Sequence, residues 1–515
     1  MPKTPLRVIL PLPFMHQTPL RAILPLLMVL LAGQTLLACS AAVLKTASRT
    51  CLIKNFDWTL GTGYLVTSPR GVARTAFPLR PGLPAQWTAR YGSVTFTQNG
   101  LGMPYGGMNE AGLVVEMLWM EFTEFSPQSG KSYTNELEWI QRQLDRFGSV
   151  AEVLDSLDSH AVHAVKGKIH YILADASGAS AVIEYVGGRA RVLDAAAGEC
   201  QSLTNYDVSF SEQQYREHGG RIPGKNSSHL HRYGTLRRHT ESGTWTKPGH
   251  ADRALSPVQA NQTGFALLDQ VALTKGLFRT RWSIVYDLDL GRLAFKTDEN
   301  HTIKNVVLES LKPFFEHGQP PRFIALLAPD NRTASLSWKH LAESDNQALI
   351  AESFSNLGLG LVDASEWSLH QWAGLGGNGL LAPPENAYTR HYAELILHFN
   401  VDSGDLGFLQ FAIMRTEEDY EQQRAVEGGA GGFRVRQPSY SWVYYGLRKG
   451  KYAIAAVQEG DRTRNRRIDF TPDGAALERY AISNGIRAEQ GAFPPFDQWL
   501  VPVEDTVVPI TLTLW

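Results

Sequence analysis

The sequence has little that would tie it to nucleic acid or to a disulfide-stabilised fold. Its 515 residues include three cysteines, and its formal net charge is −2. Three thiols in so long a chain do not make a disulfide framework, and an odd number leaves at least one thiol to explain. The small net charge, without a block of lysine and arginine, gives no reason to expect a nucleic-acid partner.

The N-terminal region also lacks an apolar run long enough for a comfortable membrane span. Ile23–Leu31 is apolar but is interrupted by Pro25. It follows basic residues and precedes Leu36-Leu37-Ala38-Cys39, an order typical of an export signal. We therefore predict that residues 1–38 are a leader that is removed, with a retained anchoring helix as the alternative.

The rest of the chain has the composition of a packed globular protein, with 43% hydrophobic and 19% charged residues. Its length favours more than one domain. Short alternating runs between residues 39 and 316 predict half-buried strands, and Asn135–Phe147 has the apolar spacing of a helix. This mixture of strands and helices predicts a layered α+β body.

The C-terminal part is expected to be all β. Ala393–Val401 alternates between apolar and polar residues, and further strands follow with turn signals between them, which predicts a small β-sandwich. Gly374–Pro384 is rich in glycine and proline, as linkers are. The predicted organisation is a leader at 1–38, a main domain at 39–355, a linker at 356–387 and an accessory β-sandwich at 388–515.

The residues that can carry chemistry begin at Cys39. An apolar strand, a turn and a second strand ending in Lys54-Asn-Phe-Asp-Trp58 follow it, and this hairpin would bring Lys54 and Asp57 back towards residue 39. An N-terminal cysteine carries a thiol and an α-amine, and the ordinary pKa of that amine, about 8, suits a base near neutral pH. One residue then supplies both nucleophile and base, while a nearby cation favours the thiolate.

Seven short motifs, in order, resemble the choloylglycine hydrolase family, the linear amide C–N hydrolases that include penicillin V acylases and bile salt hydrolases. They are Cys39, Lys54-Asn-Phe-Asp-Trp58, Trp87-Thr-Ala-Arg-Tyr-Gly-Ser-Val94, Gly106-Gly-Met-Asn-Glu-Ala-Gly-Leu113, Leu203-Thr-Asn205, Ser228-His-Leu-His-Arg-Tyr233 and Thr280-Arg-Trp-Ser-Ile-Val-Tyr-Asp287. The resemblance covers residues 39–315. It implies an N-terminal nucleophile (Ntn) hydrolase fold, an αββα sandwich of four layers.

The resemblance also implies a role for each matched position. Cys39 is the nucleophile, and Asp57 is the carboxylate that binds its α-amine. Asn205 is the side-chain donor of an oxyanion hole, and the backbone N–H of Trp119 is the second donor. Arg232 is the active-site arginine.

Three further positions follow from the same resemblance. Lys54 stands where many members have arginine, so it can supply positive charge but lacks the bidentate fork of a guanidinium. Trp58, Trp119 and Asn109 are expected to bind substrate, the two tryptophans as the lining of an acyl pocket. Simple packing in the core is the alternative for both tryptophans.

No cofactor or metal is predicted. His229 and His231 flank one residue, but no carboxylate or cysteine cluster accompanies them. The tail resembles a bacterial β-sandwich domain of unknown function, and four arginines in its loop at 460–469 would repel Ca²⁺. Cys51 and Cys200 are expected to be buried thiols. The expected partner is a small N-acylated amide, and a homo-oligomer is left open.

Two fates compete for Cys39. Leu36-Leu37-Ala38-Cys39 matches a bacterial lipobox, whose cysteine is lipidated and tethers the protein to a membrane. A thioether cannot attack a carbonyl, however, and an acylated α-amine cannot accept a proton. Because the whole constellation around Cys39 is retained, we predict an exported amidase with a free N-terminal thiol, periplasmic or secreted. The alternative is a lipid-anchored, inactive binding protein on the same fold.

Overall fold

The computed structural model describes most of the chain from Cys39 onward. The predicted leader, Cys200, the arginine-rich loop and parts of the predicted linker lie outside the described residues. The described residues are 39–45, 49–78, 83–120, 122–125, 130–163, 167–194, 201–220, 228–241, 257–276, 278–328, 336–357, 364–376, 392–401, 408–421, 425–426, 429–434, 438–459, 479–489, 493–505 and 507–514.

Strands dominate these residues, with helices between them. The strands before residue 341 are β1 Ser40–Lys45, β2 Thr50–Trp58, β3 Tyr64–Ser68, β4 Ala73–Thr75, β5 Leu83–Pro84, β6 Gln86–Thr88, β7 Ser93–Thr97, β8 Gly106–Asn109, β9 Val114–Trp119, β10 Ser132–Thr134, β11 Ala161–Val162, β12 Ile169–Ala174, β13 Ser180–Val186, β14 Arg189–Asp194, β15 Gln201–Leu203, β16 Arg279–Asp287, β17 Arg292–Thr297, β18 Lys304–Val307, β19 Arg322–Ala325 and β20 Lys339–His340. The helices are α1 Glu136–Arg146, α2 Val150–Asp155, α3 Val208–Glu217, α4 His229–Glu241, α5 Pro257–Gln270, α6 Leu308–Phe315, α7 Glu343–Leu357, α8 Ala364–Ala373 and α9 Glu417–Glu421.

Two large antiparallel sheets form the centre of the first part of the chain. Among the described residues, one sheet has six strands in the order β15-β1-β2-β16-β17-β18, and the other has nine in the order β14-β13-β12-β9-β8-β7-β3-β19-β20. The predicted hairpin after Cys39 is present as β1 and β2. Its register places Ala41 opposite Lys54, so the strand that carries Lys54 and Asp57 lies directly beside the start of β1.

The alternation of side chains along β2 creates two cores. Leu52 and Phe56 face the nine-stranded sheet, whereas Cys51 and Ile53 face α4 and α5 on the other side. Helix α1 packs on the outer face of the nine-stranded sheet against β8 and β9. The layers therefore run helix, sheet, sheet, helix, which confirms the αββα fold expected from the resemblance.

Helix α1 begins with a capping motif that is encoded in the local sequence. Asn135 accepts hydrogen bonds from the backbone N–H groups of Leu137 and Glu138, and the Glu138 carboxylate accepts from the N–H of Asn135. This capping box satisfies the first N–H groups of the helix. The helix ends at Arg146, one residue before the predicted Phe147.

The C-terminal residues form further sheets, built from β21 Tyr392–Asn400, β22 Phe408–Met414, β23 Ala430–Arg434, β24 Ser439–Arg448, β25 Gly450–Glu459, β26 Arg479–Ile482, β27 Val501–Val503 and β28 Val507–Thr513. In the described part, β24, β21 and β28 form one sheet, and β23, β22, β25, β26 and β27 form the other. Leu397, Phe411 and Ile454 share one apolar core between the two sheets. The β character of this part is as predicted apart from the short helix α9, while the exact domain limits stay a prediction.

None of the helices in the described residues is long and apolar enough to cross a bilayer.

Candidate active site

Cys39 lies immediately before β1, with its side chain buried. Its Sγ is 3.9 Å from the backbone oxygen of Asp57. Burial, followed by the charge of Asp57, raises the pKa of the Cys39 thiol to about 11, against the opposing effect of Lys54 and Arg232. In the full-length chain this thiol is therefore protonated at neutral pH, and it needs a base to become a nucleophile.

The backbone at Cys39 is fixed by Arg232 on α4. The guanidinium is fully buried, and its Nη1 donates to the carbonyl oxygen of Cys39 at 2.5 Å and to Ser40 Oγ at 2.6 Å. Its Nη2 donates to Asn205 Oδ1 at 2.9 Å. The planar fork of an arginine suits this task, because its two terminal nitrogens reach three different groups here. Arg232 thus lies in the predicted site and positions the residue that carries the thiol.

Asn205 follows β15, and its side chain contacts Cys39, Arg232 and Trp119. Its Oδ1 accepts from the backbone nitrogen of Cys39 at 2.9 Å, as well as from Arg232. Its Nδ2 donates to the carbonyl oxygen of Trp119 at 2.9 Å. An amide nitrogen carries two hydrogens, so one of them serves Trp119 and the other can serve an oxyanion. The structure therefore brings Asn205, Cys39 and Trp119 together, while their catalytic roles stay a prediction.

The orientation of the Trp119 N–H follows from the pairing of β9. Met120 donates its N–H to Lys168 on the side of β12, at 2.8 Å, and Met117 donates to Tyr105 on the opposite side, at 3.2 Å. N–H groups alternate between the two edges of an antiparallel strand, so the N–H of Trp119 points away from β12. It lies outside the β9–β12 ladder.

In the full-length chain, the Asp57 carboxylate does not accept a hydrogen bond from the Cys39 nitrogen. That nitrogen donates to Asn205 instead. Asp57 Oδ1 accepts from the hydroxyl of Thr280, whereas Oδ2 is buried and has no hydrogen-bond partner within the described residues. Burial raises the pKa of Asp57 to about 7, against the opposing effect of Arg232, Thr280 and Lys54. Burying a carboxylate oxygen without a hydrogen-bond donor costs free energy. This Oδ2 can therefore accept a hydrogen bond from one more N–H group.

Lys54 points into the space between the two sheets. Its Nζ pairs with the Glu116 carboxylate on β9 and donates to the backbone oxygen of Tyr105 at 3.2 Å. Tyr286 donates its hydroxyl to the other oxygen of Glu116 at 2.6 Å. Lys54 therefore lowers the pKa of the thiol only as part of a buried ion pair. Sequence reasoning did not identify Glu116 as part of this site. The signal that could have done so is an acidic residue inside the apolar run Val114–Leu118.

Trp58 and Trp119 are half-buried and form an aromatic cluster at the end of β2. Their ring centroids lie 6.4 Å apart, and Phe278 packs edge-on against Trp58 at 5.9 Å. Trp58 follows Asp57 directly, so this cluster adjoins the thiol. Sequence reasoning missed Phe278, which stands two residues before the Thr280 motif.

The structure gives Asn109 no place at this site. Its side chain is fully buried, with Nδ2 donating to the backbone oxygens of Leu144 and Phe147. Its Oδ1 accepts from the N–H groups of Ala111 and Leu113. These bonds use both amide hydrogens and the amide oxygen, so the expectation that Asn109 binds substrate is corrected. The residue joins the β8–β9 turn to the end of α1.

The remaining predicted residues lie apart from catalysis. Cys51 is a buried free thiol on the helix-facing side of β2. His229 stacks on the ring of Tyr206, with centroids 3.7 Å apart. Within the described ranges, no group of three or more histidine, cysteine, aspartate or glutamate residues is placed to hold a metal ion.

A protein-family model and a curated relative match parts of this chain. Residues 39–219 match the family model of linear amide C–N hydrolases, choloylglycine hydrolase family. Penicillin V acylase from Pectobacterium atrosepticum is 32% identical over 120 residues, which span 20% of this chain and 32% of that protein. The chain thus matches about a third of the length of this curated relative.

Two solved structures are similar to this chain over 59% of its length. Penicillin V acylase from Agrobacterium tumefaciens is similar with a TM-score of 0.48 and 21% identity, over 59% of this chain and 99% of that one. A mutant of conjugated bile acid hydrolase from Clostridium perfringens gives a TM-score of 0.46 and 15% identity, over 59% of this chain and all of that one.

Proposed function

Because residues 39–219 match the family model of linear amide C–N hydrolases, choloylglycine hydrolase family, we propose that this protein hydrolyses an N-acylated small molecule with the Cys39 thiolate as nucleophile. Removal of residues 1–38 turns the peptide nitrogen of Cys39 into an α-amine. The amine takes the thiol proton, and the thiolate attacks the amide carbonyl. The leaving nitrogen then receives this proton, and the acyl group stays on sulfur as a thioester.

Deacylation completes the cycle with the same groups. The α-amine takes a proton from water, and the resulting hydroxide equivalent attacks the thioester carbonyl. The C–S bond breaks, the carboxylic acid leaves and the thiol regains its proton. One amide bond and one water are consumed, and one acid and one amine are formed.

One observation carries this proposal: Asp57, whose backbone oxygen lies 3.9 Å from Cys39 Sγ, has a buried Oδ2 without a hydrogen-bond partner among the described residues. A peptide nitrogen has one hydrogen, which Asn205 already accepts. An α-ammonium has three, so processing creates two further donors next to a buried carboxylate that has a free acceptor. The Asp57–amine contact predicted from the sequence is therefore proposed for the processed chain.

The two oxyanion donors would be Asn205 Nδ2 and the N–H of Trp119. Attack on an amide carbonyl places negative charge on its oxygen, and donors fixed in advance lower the barrier by about 3–4 kcal/mol each. Since Asn205 Nδ2 donates to the carbonyl of Trp119 itself, the two groups have a fixed separation.

The acyl group would bind against Trp58, Trp119 and Phe278. These half-buried rings offer apolar faces next to the nucleophile. They favour an aromatic or fatty acyl group over a polar one, as in penicillin V or an N-acyl homoserine lactone.

Turnover of the processed protein tests the proposal. Chain 39–515 with Cys39 as its first residue is assayed against a panel of aromatic and fatty N-acyl amides, beside a matched protein that keeps residues in front of Cys39. Turnover is expected for the first and not for the second, and Cys39→Ala should abolish it. Equal turnover with and without the preceding residues would contradict the proposal.

A further inference from the structure

The short segment 203–208 carries Asn205 between two parts of the fold. Leu203 ends β15, which pairs with β1 in the six-stranded sheet, and Val208 begins α3. The residues between them are held by side chains of β12, β13 and β14, which belong to the nine-stranded sheet. The position of Asn205 therefore depends on both sheets.

His170 on β12 is the central anchor. It is fully buried, and its Nε2 lies 2.8 Å from the backbone oxygen of Thr204. A carbonyl can only accept, so Nε2 carries the hydrogen of this bond. On the other side of the ring, Nδ1 lies 3.6 Å from Glu184 Oε1. The hydrogen bond from Nε2 thus ties the imidazole to the residue before Asn205, and the buried Glu184 carboxylate lies beside the other ring nitrogen.

Glu184 on β13 extends the anchor to the other end of the segment. It is fully buried, and its Oε1 accepts from the N–H of Val208 at 2.8 Å. Its Oε2 accepts from Arg191 Nε at 3.1 Å, and the same guanidinium lies 3.6 Å from Asp207. Asp207 in turn caps α3 through the N–H of Phe210 at 2.9 Å. Glu184 therefore fixes the segment beyond Asn205, as His170 fixes it before.

The strand that carries His170 also holds the second expected donor. In the β9–β12 register, Ile169 lies opposite Trp119 and His170 lies opposite Leu118. Asn205 Nδ2 meets the Trp119 carbonyl at 2.9 Å. Strand β12 thus supports both expected donors of the oxyanion hole. It pairs with the strand that carries Trp119, and its His170 imidazole contacts the residue before Asn205.

We propose that His170, through its hydrogen bond to Thr204, is a positioning residue that sets the separation of Asn205 and Trp119 in the oxyanion hole. It acts through the backbone of Thr204. The inference rests on the proposed function. Misplacement of a catalytic group by about 1 Å can cost about 10²-fold in rate, so loosening this anchor should reduce kcat with little change in KM.

Two substitutions of similar volume test the role. His170→Leu removes the donor to Thr204, and His170→Gln offers an amide N–H in its place. In processed protein, His170→Leu should lower kcat about tenfold or more and leave KM within about twofold. His170→Gln should recover much of the loss. Iodoacetamide should alkylate Cys39 at the wild-type rate in both, since alkylation needs no oxyanion hole.

Ile172→Ala is the control for general destabilisation, because Ile172 is a fully buried residue of the same strand. It should lower stability without the selective loss of kcat. The role is wrong if His170→Leu matches Ile172→Ala in kcat, or if alkylation and amide turnover slow together.

Hydrogen exchange separates this inference from the proposed function. In Cys39→Ala protein, His170→Leu should speed exchange at residues 201–210 and leave β2 unchanged. Unchanged exchange at 201–210 would overturn the anchor whatever the activity. Absence of turnover in processed wild-type protein would contradict the proposed function but not the anchoring contact of His170.

Discussion

The backbone nitrogen of Cys39 donates to Asn205 Oδ1 at 2.9 Å, across 166 positions of the sequence. The same oxygen accepts from Arg232, so one amide group fixes both the residue with the thiol and the cation beside it. Leader removal would leave this contact in place and add two hydrogens to the nitrogen. The arrangement in the full-length chain is thus prepared for a free N-terminus.

Asn205→Ala is expected to lower kcat about 10²–10³-fold in processed protein, with a smaller effect on KM, because an oxyanion donor acts mainly in the transition state. Asn205→Asp is the matched variant, since it keeps the acceptor for Cys39 and Arg232 but loses the N–H donors. Both should be slow in steady-state assays. An effect confined to KM would assign Asn205 to substrate binding.

Asp57 should make the free energy of unfolding of the unprocessed chain depend on pH. Burial raises its pKa to about 7, whereas an unfolded aspartate titrates near pH 4. The folded chain holds the proton more tightly, so this stabilisation is complete below about pH 4 and is lost as the pH rises through about 7. Urea unfolding should therefore show a steeper fall of the free energy of unfolding over this range for wild type than for Asp57→Asn. Equal slopes would contradict the assigned pKa shift.

Trp58→Ala should lower kcat/KM for aromatic acyl amides about tenfold, because it removes one face of the proposed acyl pocket. Trp58→Phe keeps an aromatic ring and should retain most of the activity. Competition between an aromatic and a short acyl substrate in one assay measures the selectivity directly. If all acyl groups lose activity equally, Trp58 serves packing and not acyl recognition.

Local signals in the sequence predicted much of the fold. The apolar strand after Cys39, the turn and the second strand predicted the hairpin of β1 and β2, and each of these strands has one face in each of two cores. Asn135 and Glu138 started α1 through contacts within four residues. Such signals need no knowledge of distant partners.

The partners inside the site could not be predicted in the same way. Glu116 meets Lys54 across the gap between two sheets, and nothing near either residue in the sequence encodes that meeting. Asn109 shared a motif with the site, yet its amide is used entirely by backbone groups of the neighbouring turn and helix. Motifs identified which residues matter, whereas packing decided what each one contacts.

Removal of residues 388–515 should leave the chemistry intact, because Cys39, Asp57, Asn205 and Arg232 all find their contacts before residue 388. Chain 39–387 is compared with 39–515 in kcat, KM and thermal unfolding. A well-folded but inactive truncated protein would show that the C-terminal sheets contribute to the site.

The chemical state of Cys39 tests the central claim most directly. Intact mass spectrometry of protein purified from its native envelope, before and during turnover of an N-acyl amide, should show a chain beginning at Cys39. During turnover it should gain the mass of one acyl group, as a thioester requires. A mass excess of diacylglycerol plus an acyl chain on Cys39 before any substrate is added would contradict the account and identify a lipid-anchored protein without a free nucleophile.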